Sequence, residues 1–292
     1  MTSDFAGDDR LRLALPNKGR MEGPTAALLR DAGLIYEKTE KSLAVPVRNV
    51  PIELLFVRTE DVAELVADGV AEMGITGLDL LAEAGSALEV VCELGYARCR
   101  LMTAVPITSP VQDISELKAL RVATAHPQVV GAFFAEKGID VVTVPLHGSV
   151  EVAPKLGVAD AVVDLVSTGS TMRINGLRPI ATLMESQAVL VSRGEADARL
   201  GDRMQQVTTM FTAVIAARGK RYVLMNVPTE SIAAIEALIP GLDSPSVVPL
   251  AQQGMVAIHS VVEGEDVWRV VPDLRAAGAS GILVLPIEKL IP

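Results

Sequence analysis

Residues 159–176 constrain the fold more than any other part of the chain, because they compress a buried strand, a turn and a helix start into one short run. Ala161, Val162 and Val163 form an apolar strand that ends at the acidic Asp164. Ser167, Thr168, Gly169, Ser170 and Thr171 follow where a helix begins. A strand that hands over to a helix in this way belongs in an α/β sheet, with the loop at the carboxyl edge where open parallel sheets place ligands. The hydroxyls, the backbone N–H groups and the positive end of the helix dipole together suit an anion. The same residues equally suit a plain connection in which Ser and Thr cap the helix.

The rest of the chain repeats that grammar. Residues 10–15 alternate as a strand, and Pro16 to Arg20 make a basic turn into a helix stopped by Gly33, which puts Lys18 and Arg20 at a strand's carboxyl end. Strands at 52–57 and 73–76 flank a helix at 60–68, and Gly77 opens a further helix to 84. Strands at 88–93 and 99–105 follow, the second entered through Arg98 and Arg100. From Leu120 the pattern restarts: strand 121–125, a loop at His126, helix 129–137, strand 138–144 and a short helix at 150–157. Residues 62–76 and 152–164 share a Gly-Val-Ala-acid core that sets Thr76 opposite Asp164, which predicts two similar lobes with a cleft between Gly77–Asp79 and Ser167–Thr171. Strands at 179–183 and 187–193 follow, the second crossing back to the first lobe. A long amphipathic helix at 198–218 ends at Gly219.

Beyond Gly219 the order is strand 221–226, helix 230–238, strands 246–250 and 255–262, helix 266–277 and strand 281–286, the ferredoxin-like βαββαβ order. Pro272 predicts a kink or a late start in the second helix. His259, inside an alternating apolar strand, reads as structural. The boundaries that follow are 1–105 with 188–218 for the first lobe, 106–187 for the second, and 219–292 for the C-terminal domain.

Twenty-six basic against thirty-six acidic residues give a net charge of -10, and no basic block is long enough to track a nucleic-acid backbone. A small phosphorylated ligand needs only local donors, with Mg2+ where required. The N-terminal segment has neither a basic n-region nor an apolar h-region, and no apolar run reaches membrane-spanning length, so the reading is a cytoplasmic protein without membrane partners. Cys92 and Cys99 read as reduced core residues.

The run Val163 to Leu177 closely resembles the signature of the ATP phosphoribosyltransferase family, the first enzymes of histidine biosynthesis. The likeness extends over residues 15–20, 74–77, 99–101, 151–154 and 278–289, and the last block is what the long form has and the short form lacks. The resemblance implies a two-lobed, periplasmic-binding-protein type II-like catalytic core plus a C-terminal ferredoxin-like, ACT-like regulatory domain. It further implies ATP and phosphoribosyl pyrophosphate (PRPP) as substrates, Mg2+, dimers assembling into hexamers, and feedback inhibition by histidine.

In the family reaction, adenine N1 of ATP displaces pyrophosphate from C1 of PRPP. Positive charge builds on the ribose ring, so a carboxylate on its hydroxyls orients the ring and offsets that charge, and Asp164 is the candidate by position. Ser167, Thr168, Gly169, Ser170 and Thr171 suit the 5-phosphate, with Gly169 allowing close approach. Lys18, Arg20, Arg58 and Arg100 are the cations placed for ATP and pyrophosphate, with Gly77 and Asp79 across the cleft, and Glu151 joins Asp164 as a metal candidate. Adenine N1 already holds a lone pair, so no general base is assigned. By resemblance, Asn226, Ser246, Leu250, Ala279 and Ser280 are the histidine candidates. The competing readings are a two-lobed small-ligand-binding protein and a catalytically inactive regulatory subunit of the same fold.

Overall fold

The computed structural model describes residues 10–39, 42–194, 198–242 and 244–291. The chain divides into two compact units, Met1–Thr208 and Thr209–Pro292.

The strands of the first unit are β1 (Leu11–Pro16), β2 (Ala44–Pro46), β3 (Ile52–Val57), β4 (Met73–Gly77), β5 (Glu89–Glu93), β6 (Cys99–Pro106), β7 (Arg121–Thr124), β8 (Val142–Pro145), β9 (Ala161–Val166), β10 (Leu177–Ser186) and β11 (Ala188–Ser192). Its helices are α1 (Glu22–Asp31), α2 (Val62–Ala67), α3 (Leu78–Ala84), α4 (Pro127–Glu136) and α5 (Ser170–Ile174), and α6 (Ala198–Ala217) carries the chain across the division. Two sheets form, in the orders β2-β3-β1-β4-β11-β5 and β10-β6-β9-β7-β8. In the first, β3, β1 and β4 run parallel and β11 pairs antiparallel with β4. In the second, β8, β7 and β9 run parallel and β6 pairs antiparallel with β9. The lobes are thus topological copies, each closed by a strand delivered along the crossover from the other, as in type II periplasmic binding proteins.

Central strands are apolar at nearly every position because both faces are covered. β1 buries Leu11, Leu13, Ala14 and Leu15 completely. Gly74 on β4 is fixed by α2: a Cβ there would lie 2.5 Å from a Val62 methyl and 2.9 Å from one of Val66, so the helix seats directly on the strand's backbone. In the second lobe, Leu101, Val122, Val163 and Phe134 share one core. Sealing Phe134 from water contributes about 2–3 kcal/mol.

Two expectations change and one further strand appears. The strand at 99–105 belongs to the second sheet, between β10 and β9, so the crossover lies ahead of Cys99 rather than after Val105. A strand buried on both faces carries no pattern that names its sheet. The helix at 150–157 shrinks to a single 3-10 turn, Val150–Val152, followed by Pro154, which has no N–H to donate. β2 pairs with the edge of β3 and is too short to leave a period in the sequence. Both cysteines are free thiols, and burial pushes that of Cys92 up to about 11, so it is protonated at neutral pH.

The second unit comprises β12 (Lys220–Pro228), α7 (Ile232–Leu238), β13 (Ser246–Pro249), β14 (Met255–Glu263), α8 (Val267–Ala276) and β15 (Ser280–Pro286). Its antiparallel sheet runs β13-β14-β12-β15, the ferredoxin-like order. Val223, Met225 and Val227 of β12 pack with Ile258, Ile235, Val270 and Leu274 under the two helices. α8 continues through Pro272, with Val270 and Leu274 buried on either side of it, so burial offsets a break that costs about 3 kcal/mol. His259 Nδ1 lies 2.6 Å from the Tyr222 hydroxyl, a structural contact within the sheet.

Candidate active site

In both lobes the parallel strands end at the same edge. β1 delivers Asn17 to Arg20, β3 delivers Arg58, and β4 delivers Gly77 and Asp79. From the other lobe β7 delivers His126, β9 delivers Asp164 and the loop Ser167–Thr171, and the segment after β8 delivers Glu151. Lys18, Arg20, Arg58, Ser167, Thr168, Ser170 and Thr171 are exposed. Arg100 stands at the start of β6 opposite Val166 and shares a cleft of about 540 Å³ with Leu78, Arg98, Ser167 and Gln187. The cleft therefore joins the start of α3 to the loop after β9.

That loop is built for turning. Gly169 has φ +75, in the left-handed region that favours glycine, and precedes α5 directly. The hydroxyls of Thr168 and Ser170 lie 3.0 Å apart, and the first N–H groups of α5 have no partner within a helix. Upstream, the Leu165 N–H donates to Asp164 Oδ1 at 2.8 Å. Burial pushes the Asp164 carboxyl above the ordinary range, and the neighbouring Glu151 charge pushes the same way; the Leu165 N–H and the field of His126 oppose this in part.

Asp79 sits in a different environment, 1% exposed at the start of α3. The Ser186 hydroxyl donates to Oδ1, and the Asp79 backbone N–H donates back to Ser186 Oγ at 3.0 Å. His126 Nε2 lies 3.3 Å from Oδ2, and Arg20 approaches the same oxygen at 3.8 Å. Burial raises this carboxyl, but the hydrogen bonds from His126 and Ser186, with the Arg20 charge, outweigh it and hold Asp79 below the usual value. A Cβ on Gly77 would collide with Asp79 Oδ1, so that glycine lets the carboxylate turn back on its own helix start.

His126 and Ser186 carry no role in the sequence reading. His126 is 4% exposed, its backbone N–H donates to Thr124 Oγ1 at 3.0 Å, and its Nδ1 has no hydrogen-bond partner among the described residues. The legible signal was a histidine at the carboxyl end of a strand, just before a proline that starts a helix. In the second unit, Asn226 and Ser280 face each other on β12 and β15, and Ala279 precedes β15. Ser246 and Leu250 lie on and just beyond β13, at the opposite edge of the sheet, so one chain does not bring all five together.

Residues 58–213 match the family model described as "HisG: ATP phosphoribosyltransferase", and residues 217–289 match "HisG, C-terminal domain". The chain belongs to the ATP phosphoribosyltransferase family. It is 44% identical to the ATP phosphoribosyltransferase of Gemmatimonas aurantiaca over 97% of this chain and all of that one. Identity to the enzyme of Natronomonas pharaonis is 41%, over 97% of this chain and 100% of the relative. A solved ATP phosphoribosyl transferase (HisG:HisZ) complex from Thermotoga maritima contains a chain that superposes with a TM-score of 0.60 at 27% identity, covering 69% of this chain and 98% of that one. The match to the C-terminal domain makes this a long-form member. Its reaction is the transfer of the 5-phosphoribosyl group of PRPP to N1 of ATP, giving phosphoribosyl-ATP and pyrophosphate, at the entry to histidine biosynthesis.

Proposed function

We propose that Asp164 and the loop Ser167–Thr171 hold PRPP, and that catalysis comes from positioning and electrostatics around that one carboxylate. The observation that carries the reading is the environment of Asp164: half-buried, without an ion pair to a Lys or Arg among the described residues, and followed by a turn of hydroxyls and helix-opening N–H groups. As the bond from C1 to the pyrophosphate oxygen breaks, the electron pair leaves with pyrophosphate and the ring becomes cationic. A carboxylate on the ribose hydroxyls is worth most at that moment. The adenine N1 lone pair then forms the new bond to C1. Ser167, Thr168, Gly169, Ser170 and Thr171 bind the 5-phosphate, while Lys18, Arg20, Arg58 and Arg100 bind the polyphosphates. Gly77 shapes the facing loop, and Asp79 acts through Arg20, whose guanidinium lies 3.8 Å from its carboxylate.

Asp164 and Glu151 fit Mg2+, because two carboxylates close enough to perturb one another suit a hard cation that takes the rest of its shell from water and substrate phosphates. Among the described residues no group of three or more His, Cys, Asp or Glu side chains is placed to hold a metal by itself. Bound there, Mg2+ would neutralise charge on the departing pyrophosphate.

Histidine inhibition is assigned to the second unit through Asn226, Ser246, Leu250, Ala279 and Ser280. The exposed apolar residues Val247, Val248, Leu283 and Leu285 on its sheet support self-association into dimers and hexamers. The location is assigned to the cytoplasm on the biosynthetic reaction of the family; among the described residues no helix is long and apolar enough to cross a membrane. Incubation with ATP, PRPP and Mg2+ should yield phosphoribosyl-ATP, with Mg2+ omission abolishing it. Product formation unaffected by Asp164→Ala would refute the site assignment.

A further inference from the structure

Glu83 lies one helical turn beyond Asp79 on α3, within the first lobe, and belongs to none of the ligand-facing loops. Its two carboxylate oxygens accept the N–H groups of Gln128 and Val129, each at 3.0 Å. Those donors open α4, in the second lobe, and have no partner inside their own helix. A turn earlier, Asp79 meets His126, the residue that precedes α4. Residues 79 and 83 share one face of α3, so a single helix edge grips one helix terminus at two points. The carboxylate also sits at the positive end of the α4 dipole, where a negative charge is favoured.

Each lobe has its own sheet, and these contacts tie the first to the second outside the covalent crossovers. We infer that Glu83 is a positioning residue, a cap reaching across the lobes that holds the loop after β4 at the distance from Asp164 that PRPP and ATP together span. The inference rests on the reading of Asp164 as the ribose carboxylate. His126 shows how the grip reaches the site, since its ring contacts Asp79 and its field is felt at Asp164.

When a competent arrangement is only partly populated, affinity falls by the fraction lost. A ligand that needs both lobes should therefore weaken when the cap is removed, and a ligand held by one lobe should not. The test is Glu83→Ala beside Glu83→Gln, whose amide oxygen keeps one of the two acceptors. In steady-state turnover, KM for ATP and PRPP should rise about fivefold to tenfold in Glu83→Ala, the size of a lost helix cap, with kcat within about twofold. Glu83→Gln should fall between Glu83→Ala and the unaltered protein. Binding of ribose 5-phosphate, which the loop Ser167–Thr171 can hold alone, should be unchanged. A fall in kcat with unchanged KM, or a parallel loss of ribose 5-phosphate binding, would overturn the inference; if Glu83→Ala fails to fold, the near-isosteric Glu83→Gln decides by the same two readouts. Undiminished turnover in Asp164→Ala would instead count against the ribose carboxylate, a separate failure.

Discussion

Asp79 stands two residues past the end of β4 and Asp164 two residues before the end of β9, corresponding strands in two topologically matched lobes, yet the two carboxylates sit in opposite environments. Asp79 is sealed and has Ser186, His126 and Arg20 around its oxygens, so its charge is already spent on holding the protein together. Asp164 is half-buried, accepts one backbone N–H, and lies within the field of the Glu151 charge. The contrast teaches that position at a strand end nominates a residue, while the partners already engaged decide whether it is free to meet a ligand.

The largest expected effect lies in turnover. Asp164→Ala should lower kcat by about 10²–10³, the scale of losing one preorganised electrostatic group, with little change in thermal stability. If the loss tracks unfolding instead, the contrast collapses. For Asp79→Ala the order reverses: removing one partner of a buried pair should cost about 3 kcal/mol, measured by urea denaturation. An unchanged midpoint would show that Asp79 is not the lock described.

The pH dependence of stability sharpens the same contrast through its sign. Asp79 has a carboxyl held below the ordinary value, so its stabilisation is present above that value and is lost as pH falls through the lower, folded one. Asp79→Asn should therefore be less stable than the unaltered protein at neutral pH, with the gap closing in acid. Asp164 is raised, so its ionisation costs the metal-free protein stability at neutral pH and the cost is relieved as pH drops. Asp164→Asn should be equal to or more stable than the unaltered protein at neutral pH, with that gain fading in acid. Shifts of the same sign in the two variants, read from denaturation curves across pH, would contradict the assignment of their environments. The smallest effect belongs to Ser167→Ala, which removes one hydroxyl from a loop with several donors and should raise KM for PRPP about fivefold with kcat preserved.

Much of this was legible in the sequence where local chemistry and fold agree. The run from Ala161 to Thr171 announces strand, turn and helix start through composition alone, and the shared Gly-Val-Ala-acid core carries the two-lobe repeat into the sheet orders. Asp79 and Glu83 were not legible in their structural roles, because acids in the first turns of a helix look the same whether water or a second lobe faces them. His126 likewise acquires meaning only from α3, which is distant in sequence. The sequence order puts β6 with the first lobe whereas it lies in the second sheet, because a strand buried on both faces gives no sign of which sheet surrounds it.

The most direct measurement is turnover of Asp164→Asn at saturating ATP, PRPP and Mg2+, a change that keeps shape and removes the charge. The account predicts a folded protein whose phosphoribosyl-ATP formation is reduced by about 10²-fold or more; a folded variant turning over at the unaltered rate would contradict it.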